Sequence, residues 1–179
     1  MTATQLTTYT IDPTHSSVEF SVRHLMLSKV RGAFRGVSGS VTVGSDTALP
    51  TAVTAEIDVS TIDTREAQRD GHLKSPDFFH VEQFTHIRFA STGITPVDGG
   101  FDIAGSLEIH GVAKPVVLHA EFMGRTTDPW GNDRVGYEAK TRINRKDFGL
   151  TYNQALETGG VMVGEVVDIE LQIEAVAPK

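Results

Sequence analysis

The 179-residue chain contains no cysteine. That absence removes disulfides, thiolate zinc sites, iron–sulfur clusters and cysteine nucleophiles together, and it leaves the redox compartment open. Cations are in deficit, with 16 Lys and Arg against 23 Asp and Glu for a formal charge of −7. Phosphate backbones are bound through a surplus of Lys and Arg, so nucleic acid is not an expected partner. No stretch approaches the ~18 consecutive apolar residues that a spanning helix needs. Residues 1–10 (MTATQLTTYT) have neither a cationic start nor an apolar core. No secretory signal is therefore expected, and the expected location is cytoplasmic. Catalytic signatures are missing as well. Residues 36–40 (GVSGS) have the wrong spacing for a nucleophile elbow, and 159–164 (GGVMVG) fit neither a dinucleotide fingerprint nor a phosphate loop. None of the seven histidines belongs to an H-E-x-x-H motif. The expectation is a binder with no catalytic residue, no metal and no cofactor.

What the chain has is alternation in steps of two, the mark of half-buried strands. Val18, Phe20, Val22 and His24 share one face against Glu19, Ser21 and Arg23, and Val167 to Ala175 alternate with Asp168, Glu170, Gln172 and Glu174. Eight strands are expected, at roughly 16–24, 29–43, 51–59, 84–95, 100–110, 115–123, 133–144 and 163–175. Asp98-Gly99-Gly100 and His110-Gly111 are tight-turn signals, and residues 128–133 (DPWGND) suit a longer hairpin loop. The expected fold is all-β, an eight-stranded antiparallel up-and-down barrel in one domain over residues 1–179. Closure of that kind removes exposed edges, and a two-sheet sandwich is the structural alternative.

Between the third and fourth strands, Ser60 to Gln83 loses the alternation. Asp63 or Thr64 is a candidate cap for a short helix that ends before Pro76. A connection of this length is uncommon and often functional. Phe78, Phe79 and Phe84 would anchor it, either as a lid over a barrel end or as a cover that closes the core.

The inward face mixes bulky apolar residues with Gly32, Gly36, Ala55, Ser91, Gly105, Ala120 and Ala139. Eight strands are near the limit at which side chains fill a barrel or leave room for one ligand, and the small residues favour room; the alternative is that they fit the taper of a filled barrel or mark bends. Two inward positions are basic, His24 and Arg145. Arg145 holds a ligand headgroup or pairs with a carboxylate such as Asp70 or Asp147. Phe20 to Ser45 contains no Asp or Glu but has Arg23, Lys29, Arg31 and Arg35 beside Leu25-Met26-Leu27. That combination suits transient contact with an anionic membrane surface; a solvated strand face with its turn packed on a neighbour is the alternative.

Several motifs together carry a resemblance. Residues 11–16 (IDPTHS), Val18-x-Phe20-x-Val22-x-His24 and Gly32-x-Phe34-x-Gly36 lie in the first quarter of the chain. Arg69-Asp70-x-His72-Leu73-Lys74-Ser75, Asp77-Phe78-Phe79, Gly105-x-Leu107-x-Ile109-His110-Gly111 and Arg145-x-Asp147-Phe148-Gly149 follow in order. The chain resembles the YceI-like family over residues 9 to 175. The resemblance implies a lipocalin-like barrel with a long isoprenoid chain inside, either a polyprenyl phosphate or pyrophosphate or an isoprenoid quinone. It also implies a possible homodimer, and many members are secreted or periplasmic. Tyr9 stands where the family often has Trp.

The residues and the resemblance give one combined expectation. Phe20, Val22, Phe34, Ile57, Phe89, Leu107, Leu118 and Tyr137 line the tail, Phe79 closes over it, and His24 and Arg145 meet the headgroup. The alternative is an enzyme acting at the barrel mouth through Arg69, Asp70, His72 and Arg145.

Overall fold

The structure, a computed structural model, describes residues 5–45 and 47–179. Its strands are β1 (Leu6–Ile11), β2 (Ser17–His24), β3 (Ser28–Phe34), β4 (Val37–Gly44), β5 (Pro50–Asp58) and β6 (Ile62–Asp63). After helix α1 (Ala67–Lys74) come β7 (His86–Val97), β8 (Gly100–Ile109), β9 (Val112–Thr127), β10 (Asp133–Asn144) and β11 (Val163–Val176). Hydrogen bonding runs antiparallel through β1, β4, β5, β7, β8, β9, β10 and β11, and β11 pairs back onto β1. The barrel therefore closes on eight strands, as the alternation predicts.

Closure depends on two bends. Along β11, Ile11 sits opposite Ala175 and Ser17 opposite Gln172, so β1 and β2 are halves of one strand interrupted by residues 12–16. The sequence reading starts that strand at 16 and misses β1, where only Tyr9 and Ile11 are buried among threonines. The expected strand 29–43 likewise divides into β3 and β4. Thr61 Oγ1 accepts from the backbone N–H groups of both Arg35 and Gly36, at 3.1 Å each, and takes them out of the ladder. A Cβ on Gly36 would lie 3.0 Å from side-chain atoms of Asp58 and Thr61, so any larger residue would crowd the bend.

The two ends of the barrel are built differently. At one end are the β7–β8 turn at Asp98-Gly99 and the β9–β10 loop at 128–132. Here Arg134 donates to Asp128 at 2.8 Å, to Asp12 at 2.9 Å and to Glu174. Tyr9 donates to Asp133, which also accepts from Arg125. Asp12 is held well below the usual carboxylate range, chiefly by hydrogen bonds from Thr14, Arg134 and His15. Asp128 is held low chiefly by Asn132, and Asp133 is lowered chiefly by Arg125. Burial, reinforced by Asp133, pushes the Tyr9 phenol up to about 12.

At the other end lie α1, the β2–β3 turn and the long segment between β10 and β11. The helix cap is Glu66, not Asp63 or Thr64. Its carboxylate accepts from the N–H groups of Gln68 at 3.1 Å and Arg69 at 2.6 Å. The two expected caps are otherwise engaged, Asp63 by Arg35 and the Arg65 N–H, and Thr64 by Asp70.

Candidate ligand-binding cavity

The inward side chains do not fill the barrel. A cavity of about 210 Å³ remains, its exposed wall apolar throughout, under the end covered by α1. The structure places ten of the eleven sequence-predicted site residues on its wall: Phe20, Val22, Phe34, Ile57, Phe79, Phe89, Leu107, Leu118, Tyr137 and Arg145. His24 is not on it. It closes β2 opposite Ser28 and Val163, beyond the cavity rim.

The room comes from fewer small residues than the sequence suggests. A Cβ on Gly32 would lie 2.4 Å from the Phe20 ring, and one on Gly105 would lie 2.4 Å from the Phe89 ring. Those glycines seat aromatic rings and leave no void. Gly36 belongs to the bend, and Ser91 donates no space either, since its Oγ accepts the Val53 N–H at 2.9 Å. Ala55, Ala120 and Ala139 are the small residues that face the cavity. Tyr137 turns its hydroxyl to the carbonyl of Ala48, and burial pushes that phenol up to about 12.

Arg145 lines the cavity but pairs with neither of the carboxylates that the sequence offered. It is buried, and no carboxylate pairs with it among the described residues. Nε donates to the Gly164 carbonyl at 2.7 Å, and Nη1 donates to Leu150 at 2.6 Å and Tyr152 at 2.9 Å. Nη2 reaches Val163 at 3.3 Å. One guanidinium thus satisfies four carbonyls of the 150–164 segment and fixes that segment against the barrel mouth. Burial lowers its pKa, but an Arg stays charged, and backbone carbonyls are the acceptors that make the charge tolerable here. Asp70 instead accepts from the Thr64 N–H at 2.9 Å and its hydroxyl at 2.6 Å, and Arg69 donates to Thr64 as well. His72 bonds Asp77 at 2.8 Å. The groups that the enzyme alternative would use are engaged in holding the cover together.

That cover is aromatic on its inner side. His72, Phe78 and Tyr152 pack edge-on or tilted against one another with ring centroids 4.9 to 5.1 Å apart. Phe79 meets Phe34 edge-on at 5.8 Å inside the barrel. Phe84 instead packs on His110, at 4.5 Å, outside the cavity wall. Sequence reasoning missed Leu73, Leu150 and Val163, which also line the cavity. Leu73 lies on a polar helix and Leu150 on an irregular segment, where no period marks the inward side, whereas Val163 opens β11 in the parity of Val167. Among the described residues, the ligand atoms of Asp12, His15 and Glu174 lie within 4.8 Å of one another. Arg134 already bridges Asp12 and Glu174 from the tied end, so this triad is an ion-pair network.

Comparison with known proteins gives a consistent result. The model of the YceI-like domain matches residues 9–175. A UPF0312 protein of Staphylococcus aureus is 38% identical over 170 residues, which is 94% of this chain and 97% of that protein. Among solved structures, BcnA of Burkholderia cenocepacia superposes with a TM-score of 0.79 at 20% identity, covering 92% of this chain and 99% of that one. A polyisoprenoid binding domain from Saccharophagus degradans superposes with a TM-score of 0.68 at 18% identity, covering 97% and 100%.

Proposed function

The chain belongs to the YceI-like family, and from that premise we propose that it holds a long isoprenoid chain in the barrel, as a carrier, store or sequestering protein. The observation that carries this reading is the unfilled barrel interior, whose exposed wall is apolar. Left dry and empty, a void of about 210 Å³ forfeits on the order of 5 kcal/mol of packing, at ~24 cal/mol per Å³. An apolar occupant recovers that energy, and water does not. The volume lies below the ~300–1,000 Å³ of drug-sized sites. A void of ~150 Å³ takes one benzene, so this one takes a short length of chain. The rest of a long isoprenoid would run out through the mouth beneath α1 or need the cover to move. The polyisoprenoid binding of the S. degradans domain supports the same ligand class.

A neutral headgroup, as in an isoprenoid quinone, is preferred over a pyrophosphate. Support for it comes from Arg145, the cation on the cavity wall, whose donors face backbone carbonyls. A charged headgroup would have to stay outside the mouth.

The test is uptake of a prenyl quinone, followed as a rise in melting temperature, since a ligand that binds only the folded state stabilises it. Ala139→Phe extends a side chain into the cavity from β10 and is expected to abolish the rise with the barrel still folded. A folded Ala139→Phe protein with undiminished uptake would contradict the reading. Gly105→Phe is unsuitable, because it first displaces the Phe89 ring.

A further inference from the structure

We propose that the β2–β3 turn is a membrane-docking tip that seats the covered end of the barrel on an anionic phospholipid surface. The inference stands on the tip alone and does not depend on what the cavity holds.

Leu25, Met26 and Leu27 form the whole turn, and they are 36%, 59% and 82% exposed. Leu27 is the barest of the three, whereas Leu25 is partly covered and Met26 lies beside Gly160. Leu25 and Met26 have φ of 52° and 63°, the left-handed region where glycine or asparagine is ordinarily found. The fold therefore bears a conformational cost to present large apolar side chains to solvent. Such side chains beside a basic surface are what an interfacial anchor requires.

The basic surface is on the same hairpin. Arg23 and Lys29 are directly opposite each other across β2 and β3, and Arg31 follows on the same outward face. Lys29 pairs with Asp168 at 3.1 Å, whereas Arg23 and Arg31 make no ion pair among the described residues. The hairpin contains no acidic residue between Phe20 and its end at Phe34. The adjoining turn packs alongside, with Leu25 N–H donating to the Met162 carbonyl at 2.8 Å, and contributes one carboxylate, Glu157. The resulting tip, apolar at its apex with free guanidinium groups behind it, complements acyl chains beneath anionic headgroups. It projects from the end of the barrel that α1 covers, so docking would bring that end to the bilayer.

The experiment is flotation with phosphatidylcholine vesicles that contain phosphatidylglycerol, beside pure phosphatidylcholine vesicles, at low and high salt. Wild type should float with the anionic vesicles only, and less so at high salt. Met26→Asn with Leu27→Ser keeps the left-handed turn, so the protein should fold. It should lose binding about ten-fold or more, since full burial of one such side chain is worth ~1.5–3 kcal/mol. Arg23→Gln and Arg31→Gln should each cost about five-fold, from ~1 kcal/mol per basic residue near such a surface. Trp130→Ala removes an exposed aromatic from the opposite end and should change nothing, and Ala139→Phe should still float. The proposal is overturned if wild type floats with neither vesicle or equally with both. It is also overturned if the turn variant floats like wild type, or if sedimentation shows that the turn instead holds two copies of the chain together.

Discussion

The two ends of this barrel solve the same problem with opposite means. At the tied end, short hairpins bring Arg134 among Asp12, Asp128 and Glu174, and Tyr9 and Arg125 onto Asp133, so charge closes the barrel. At the covered end an inserted helix and the 150–164 segment lie over an unfilled interior. Their cohesion comes from edge-on aromatic contacts, from the hydrogen bonds of Asp70 and Arg69 to Thr64, and from one buried arginine that bonds only backbone. Short hairpins and ion-paired strand ends move little. A cover held by side chains on irregular segments can open locally without unzipping a strand, so ligand exchange belongs at that end.

The sharpest way to break this contrast is to remove the arginine. Arg145→Met should leave several buried carbonyls without donors and cost about 3–5 kcal/mol in urea unfolding, more than any other single change at the covered end. Hydrogen exchange should rise in residues 150–164 while the tied end stays protected. An unfolding free energy near wild type would show that the segment is held by other means.

Acid should act the other way round. Carboxylates whose folded pKa lies below the unfolded value of ~3.9 stabilise the fold above about pH 4 and lose that contribution as pH falls through the folded pKa. Asp58 and Asp63 near the covered end are also lowered, by Ser60 and Arg35 respectively, but the largest depressions are those of Asp12 and Asp128. Between pH 4 and pH 2, exchange protection should therefore fall more steeply in residues 9–12 and 128–134 than in α1. Parallel loss at both ends would remove the distinction.

The smallest expected effect tests the cover as a gate. Asp70→Asn weakens the two hydrogen bonds from Thr64 that tie α1 to β6 and should cost about 1 kcal/mol. Release of a bound prenyl chain should speed up by a few-fold, with equilibrium uptake much less affected. Unchanged release kinetics would place the entry route elsewhere.

These contrasts also explain what the sequence reveals. Regular strands declare their inward side by period, so Phe34, Phe89, Leu107 and Tyr137 could be assigned to the interior one by one. Parity carried the same reasoning one step past β10 to Arg145, and rightly placed that side chain inward. It could not say what the guanidinium meets, because two of the four carbonyls come from an irregular segment and two from the start of β11, and period says nothing of where a backbone carbonyl points. The glycines misled for a related reason. Gly32 and Gly105 read as empty space until the rings of Phe20 and Phe89 are seen lying across them. The bend at Arg35 and Gly36 was hidden because its cause, the Thr61 hydroxyl, lies in another part of the chain.

The central claim is that an apolar chain occupies the space beneath the cover. Native mass spectrometry of the protein purified without detergent, followed by organic extraction of the same sample, tests it most directly. The account predicts a bound species with a long isoprenoid tail in the wild-type protein, and its loss from a folded Ala139→Phe variant. An empty wild-type protein that also takes up no prenyl quinone when one is supplied would contradict it.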